Sequence, residues 1–441
     1  MPVATWESLV GRMRAHFAVP LYRNGYSLLV GYGATSVLGL VFWVVAARQA
    51  DPHDVGIAAA LFSLMLLVSG ACQLSLNTVL LRFLPVAGRN AQRFVLGCYG
   101  LTIAATALAA AAVALLAGVW SDDLSFLATD ATWFAAFVVG CAGWSVFALQ
   151  DSALTGARQA HWVMIENSLY SVARVGLLVP LAALGVGGIF AASVVPALIA
   201  LLPINLLLFR RLLPYHVHEH ADRSEPLRRE DLARFVLSNY LGSVFFVLSS
   251  FLLPIIVTVV AGATDNAHFY AAWSIAMGVQ FIAVSMMSSL LVESSLAQAR
   301  LVQHSRRALS QTLRLVVPVV IVIVAAAPLL LAAFGPSYAE DASWTLRLLA
   351  LSAIPNVVII LSVNVARVRQ QASVVVLVQA AVCVFGVGLS ALFLQIVGIT
   401  GVGIGWLLSQ VVVAASVTPW LVRIVGRRSQ PGSVHAAEEV S

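Results

Sequence analysis

Apolar runs of twenty or more residues recur along this chain, separated by short segments rich in charge or in turn-forming residues. A run of that length, wound as a helix, crosses the roughly 30 Å hydrocarbon core of a bilayer. The alternating ten-residue pattern of a membrane barrel is a different signal and is not the one found here. The runs predict helices over 24–47, 55–81, 94–120, 131–150, 162–184 and 187–209, then over 235–261, 267–292, 312–334, 344–366, 372–397 and 400–424. The expected fold class is an all-α polytopic membrane protein with about twelve transmembrane helices in two parallel six-helix lobes. Residues 24–209 form the first lobe and 235–424 the second. A polar linker, 210–234, divides them, and the tail from 425 to 441 is polar enough to be disordered. Residues 1–23 alternate apolar and charged positions without a continuous apolar core, which fits an interfacial helix ending near Pro20 better than a cleaved signal.

Charge placement orients the helices. Arginines gather in alternate connections: Arg12, Arg14 and Arg23; Arg82, Arg89 and Arg93; Arg158; the linker; Arg300 through Arg314; Arg367 and Arg369; and Arg423, Arg427 and Arg428. The facing connections carry Asp51, Asp54, Asp122, Asp123, Asp130, Asp265, Glu340 and Asp341, with only Arg48 and Arg347 among them. The positive-inside rule then puts both termini in the cytoplasm, and the chain is expected in the inner (plasma) membrane.

Composition narrows the chemistry. Of the 441 residues, 61% are hydrophobic and 10% charged, against roughly 25% charged in soluble domains. All 25 basic residues are arginine, so neither a P-loop lysine nor a Schiff-base lysine is present. The net charge of +6 is explained by topology and calls for no nucleic-acid partner. Cys72, Cys98, Cys141 and Cys383 lie inside apolar runs without metal-ligand spacing. His216, His218 and His220 alternate in the linker but lack a defined fourth ligand, so no metal and no cofactor are expected.

The halves show a weak repeat at a steady offset. Asn24 corresponds to Asn239, Leu80–Arg82 to Leu291–Glu293, and the turn at Gly185 to that at Gly398. Six helices per half make the repeat parallel. The stretch from Ala46 to Pro85, AARQADPHDVGIAAALFSLMLLVSGACQLSLNTVLLRFLP, resembles the opening of polysaccharide-export flippases of the multidrug/oligosaccharidyl-lipid/polysaccharide superfamily. There, a first helix is followed by an Asp-aromatic-Gly turn, a second helix and an arginine at its cytoplasmic end. The matching positions are Asp54, Val55, Gly56 and Arg82, with Val55 departing from the aromatic. By length and layout the resemblance extends over 20–428. It implies a V-shaped pair of six-helix lobes, as in the MATE-like fold, around a cavity open to one side at a time. It also implies movement of polyprenyl-linked oligosaccharides from the inner to the outer leaflet.

Polar residues inside the spans are the candidate site. A charged side chain deep in a helix costs ~2.5–3.5 kcal/mol on insertion scales, and Arg174 lies deep in the fifth helix. Asn167, Ser171 and Arg174 share one face with Glu166 and Tyr170 on the adjoining row. The stripe either presents a guanidinium to a pyrophosphate or glues helices together through hydrogen bonds and a Glu–Arg pair. Arg82 either binds substrate or serves topology. Glu293 either couples a cation, pairs with an arginine, or sits at the interface. Gln73, Asn77, Asn239, Asn356 and Asn364 either line the cavity or pack helices. Pro254, Pro318 and Pro355 free backbone carbonyls mid-helix.

The expected function is non-enzymatic: alternating-access flipping of a lipid-linked oligosaccharide, with membrane lipids and polysaccharide-assembly proteins as partners. A multidrug cation antiporter is the first alternative, although the first helix carries no carboxylate. A polymerase or ligase is the second, although it would want a long outward loop.

Overall fold

The computed structural model describes the backbone of residues 20–215, 229–295 and 301–426, and side chains from residue 35 onward except over 216–235, 237–238, 282, 285–304 and 425–441. The interfacial helix expected over 1–19, the linker histidines and the tail lie outside these residues, as does the side chain of Glu293. The described elements are helical throughout, with no strand among them. Six long helices come first: α1 (Pro20–Gln49), α2 (Pro52–Cys72) with the short α3 (Leu76–Phe83), α4 (Ala91–Leu115), α5 (Ala131–Gly156), α6 (Ala160–Leu181) and α7 (Val186–Leu207). Six more follow: α8 (Arg229–Ala261), α9 (Ala263–Ser295), α10 (Leu301–Ala332), α11 (Pro336–Val368), α12 (Ala372–Val397) and α13 (Ile399–Gly426).

Ten of these helices are long and apolar enough to cross a membrane. The other two, α1 and α9, contain 30 and 33 residues, which at 1.5 Å per residue is spanning length. This is the multi-pass all-helical fold expected from the apolar runs. Helices α9 to α11 extend well beyond those runs, because an apolar stretch marks the lipid-facing length while the helix continues into its polar flank. Proline opens α2 and α11, where its missing N–H is not needed. Asp130 caps α5 by accepting from Thr132 N at 2.7 Å and Trp133 N at 3.3 Å.

The second expected helix, 55–81, is not continuous. It breaks after Cys72, where Leu74 (φ 50°) and Ser75 (φ 56°) adopt the left-handed region. Neither residue is glycine, so the break costs about 1–2 kcal/mol per residue. Packing offsets that cost: Leu76, Val79, Leu80 and Leu84 beyond the break are buried with Val95, Leu149 and Leu154.

The chain divides into two compact units, Met1–Val236 and Leu237–Ser441. In the first, α5 is central and packs against α2, α3, α4, α6 and α7, while α1 lies along α6. In the second, α11 packs against α9, α10, α12 and α13. Small residues let these helices approach closely, the usual device where lipid supplies no hydrophobic drive between helices. A Cβ at Gly401 would lie 2.0 Å from Phe393 O, and one at Gly405 2.5 Å from the backbone of Leu389, both on α12. A Cβ at Gly403, on the other face of α13, would lie 3.0 Å from Leu348 of α11.

Candidate functional site

The stripe on α6 is buried inside the first unit. Glu166, Tyr170, Ser171 and Arg174 are all buried, and each has a different partner. Glu166 Oε1 accepts from Gln150 Nε2 of α5 at 2.5 Å, and Gln150 Oε1 accepts from Asn205 Nδ2 of α7 at 2.6 Å. Asn167 Nδ2 donates to both carboxylate oxygens of Asp151, at 3.2 and 3.1 Å. Tyr170 Oη donates to Ser193 O of α7 at 3.1 Å, and Ser171 Oγ turns back to Asn167 O at 2.7 Å. Three helices are thereby tied together, which is the adhesive one of the two readings of the stripe. The Glu–Arg pair is not formed: Glu166 and Arg174 are eight residues apart, about 12 Å along the axis, and Glu166 Oε2 has no hydrogen-bond partner.

Arg174 itself sits in an aromatic enclosure. Its Cζ lies 3.9 Å from the Phe42 ring centroid on α1, 5.4 Å from Phe62 on α2 and 5.6 Å from Tyr170. Trp43 and Trp144 extend the ring cluster through edge contacts and Phe147 through a tilted one. A desolvated cation over a ring gains about 2 kcal/mol or more, comparable with the ~2.5–3.5 kcal/mol cost of placing the charge in a membrane helix. The enclosure therefore explains how the charge is tolerated. Nε and Nη2 make no hydrogen bond, so two donor nitrogens stay unused.

The remaining candidates separate. Arg82, at the end of α3, is exposed, with its guanidinium 5.4 Å from the Phe83 ring. Gln73 is the C-cap residue of α2, and the Asn77 side chain is occupied locally, accepting from Thr78 N at 2.8 Å. Asn239 is half-buried on α8. Glu293 belongs to α9. Asn356 has a different environment, since it faces a cavity.

That cavity, of about 260 Å³, lies wholly within the second unit between α8, α9, α11, α12 and α13. Its walls include the side chains of Gln280, Asn356, Asn364, Arg367, Gln379 and Gln410, together with Ser249, Ser250 and Trp406. Among the described residues no acidic one lines it. Asn356 Nδ2 donates to Gln280 Oε1 at 3.2 Å. Both amide atoms of Gln410, Gln280 Nε2 and Trp406 Nε1 are buried without a partner. Asn356 and Asn364 were candidates from sequence. Gln280, Gln379 and Gln410 were missed although each carries the same signal, a lone amide in an apolar run.

No family model matches the chain, and no curated protein does. Solved structures do. An inward-facing multidrug resistance MATE family transporter of the MOP superfamily superposes with TM-score 0.66 at 17% identity, covering 90% of this chain and 96% of that one. A MATE structure in the straight conformation gives 0.66 at 16%, covering 92% and 95%. A MOP superfamily transporter from Pyrococcus furiosus, described as having a binding pocket of reverse polarity that suggests a different function, gives 0.62 at 16%, covering 91% and 94%. The chain has the fold these proteins share, over nearly its whole length.

Proposed function

We propose that this chain is an alternating-access carrier that flips a lipid-linked oligosaccharide, of the polyprenyl-pyrophosphate type, from the inner to the outer leaflet of the inner membrane during surface-polysaccharide assembly. The observation that carries the reading is the polarity of the cavity in the second unit: a guanidinium, side-chain amides and, among the described residues, no carboxylate. A membrane-embedded site for a cationic drug is best served by negative charge, whereas amides are neutral. A glycan that leaves water needs uncharged donors and acceptors together, and side-chain amides supply both. Within the first unit, Arg174 keeps two donor nitrogens without a hydrogen bond and is a separate candidate contact for the diphosphate. The glycan enters the protein, the polyprenyl tail stays in lipid, and differential binding to two states reverses access. No covalent step is required.

The multidrug reading is favoured by the names of the fold neighbours and by the buried Glu166 carboxyl with one oxygen unpartnered. The two readings part in a deletion strain. Accumulation of lipid-linked oligosaccharide on the cytoplasmic leaflet, rescued by the intact gene, supports flipping. Normal outward appearance of the glycolipid, with redundant carriers removed and cationic-drug sensitivity raised, establishes antiport instead.

A further inference from the structure

We infer that the cavity of the second unit is a subsite for one uncharged, hydroxyl-bearing ring, a single sugar residue of the carried glycan. The inference rests on the transport reading for the identity of the larger molecule, while the subsite chemistry stands on its own geometry. About 260 Å³ lies just below the roughly 300–1,000 Å³ range of small-molecule pockets, so the space suits one ring and not an extended chain.

The unmade hydrogen bonds define what the ring must carry. Gln410 is 0% exposed, Trp406 3%, and Gln410 Oε1, Gln410 Nε2, Trp406 Nε1 and Gln280 Nε2 all lack partners. Four such atoms around one cavity set what any occupant has to satisfy. A metal ion or an ammonium group would satisfy the Gln410 carbonyl and oppose the N–H groups. A phosphate would satisfy the N–H groups and the Arg367 guanidinium but oppose the Gln410 carbonyl. A hydroxyl donates and accepts at once, and so answers both. Ser249 and Ser250 give their own protons to Phe246 O, at 2.9 and 2.8 Å, which leaves their lone pairs as further acceptors.

The fold holds this arrangement in place. Trp406 stands edge-on to Trp273 with centroids 5.1 Å apart, and a Cβ at Gly386 would lie 2.8 Å from the Trp406 ring. Any side chain at position 386 therefore pushes the indole and redirects its N–H. The apolar faces of Phe246 and Phe281 complete the walls, as suits a ring with C–H faces and a hydroxyl rim.

The test is saturation-transfer NMR on the full chain in lipid nanodiscs, with glucose, N-acetylglucosamine, inorganic phosphate and tetraethylammonium as probes. Sugar protons should receive saturation, while phosphate and tetraethylammonium should neither bind this cavity nor displace the sugar. Trp406→Phe, which removes one N–H and keeps an aromatic ring, and Gln410→Leu should each weaken sugar binding roughly tenfold or more, because a hydroxyl is left unpaired. Gly386→Ala should weaken it as well. Unchanged thermal melting of Trp406→Phe keeps the comparison valid if Gln410→Leu fails to fold. Absence of sugar binding, equal binding by Trp406→Phe, or preferential binding of phosphate or the cation would overturn the inference and leave a cavity holding about nine waters at ~30 Å³ each. A parallel flipping assay keeps the two claims apart: flipping without sugar binding sinks the subsite alone, and sugar binding without flipping sinks the transport reading alone.

Discussion

Replacing Gln150 with leucine is the sharpest test of how the first unit is held together. Gln150 is 0% exposed and links three helices, donating to Glu166 Oε1 at 2.5 Å and accepting from Asn205 Nδ2 at 2.6 Å. Interhelical hydrogen bonds in membranes average ~0.6 kcal/mol and reach ~1.7, so losing two costs about 1–2 kcal/mol. Asn205 keeps its bond to Leu201 O at 2.9 Å and loses little more. Glu166 is different: its Oε2 already lacks a partner, and the substitution strips Oε1 too. A buried polar group left unsatisfied costs a further ~1–3 kcal/mol, so the expected destabilisation is about 2–5 kcal/mol. Replacing both partners by apolar residues removes the stranded group, and the Gln150→Leu/Glu166→Leu double variant should recover most of the loss. The assay is reversible unfolding in mixed micelles by SDS titration for the two single variants and the double. A double variant as unstable as the sum of the singles would refute the claim that an uncovered carboxyl, and not lost packing, sets the cost.

Asp130→Ala should destabilise the same unit by about 1 kcal/mol through loss of the α5 N-cap, with Asp130→Asn restoring most of it in the same titration. Arg174→Met separates structure from function: it removes a buried charge, so stability should hold or rise, while glycolipid flipping should fall severalfold. Full flipping by a stable Arg174→Met protein would remove Arg174 as a candidate substrate contact. Arg174→Lys should lower stability by about 1–2 kcal/mol, because a compact ammonium cannot stack on Phe42 as a guanidinium does.

Which segments are helical was legible from the sequence, because a bilayer admits few alternatives and a twenty-residue apolar run has one economical conformation. The break in the second helix was not. Gln73-Leu74-Ser75 contains neither glycine nor proline, and the left-handed turn there is imposed by tertiary packing of Leu76, Leu80 and Leu84. The candidate site was readable in part. Depth along a helix singled out Arg174, and periodicity placed Glu166, Tyr170 and Ser171 beside it. What those residues touch depends on α1, α2, α5 and α7, whose packing no local pattern encodes. Phe42 is 132 residues from Arg174 along the chain, yet it provides the ring lying 3.9 Å from the guanidinium. The cavity in the second unit was signalled by isolated amides in apolar runs. Asn356 and Asn364 stood out, whereas Gln280, Gln379 and Gln410 acquire meaning only when helices from across the unit bring them together.

The most direct test of the transport reading is leaflet accessibility in proteoliposomes made with the purified chain and a fluorescent polyprenyl-pyrophosphate glycolipid. Without protein, only the glycolipid in the outer leaflet should be open to an impermeant quencher. With it, the protected fraction should become accessible on the timescale of turnover, and a soluble cationic drug should not compete. Glycolipid that stays protected while the same vesicles exchange cationic drugs for protons or sodium would contradict the account and assign the fold a different cargo.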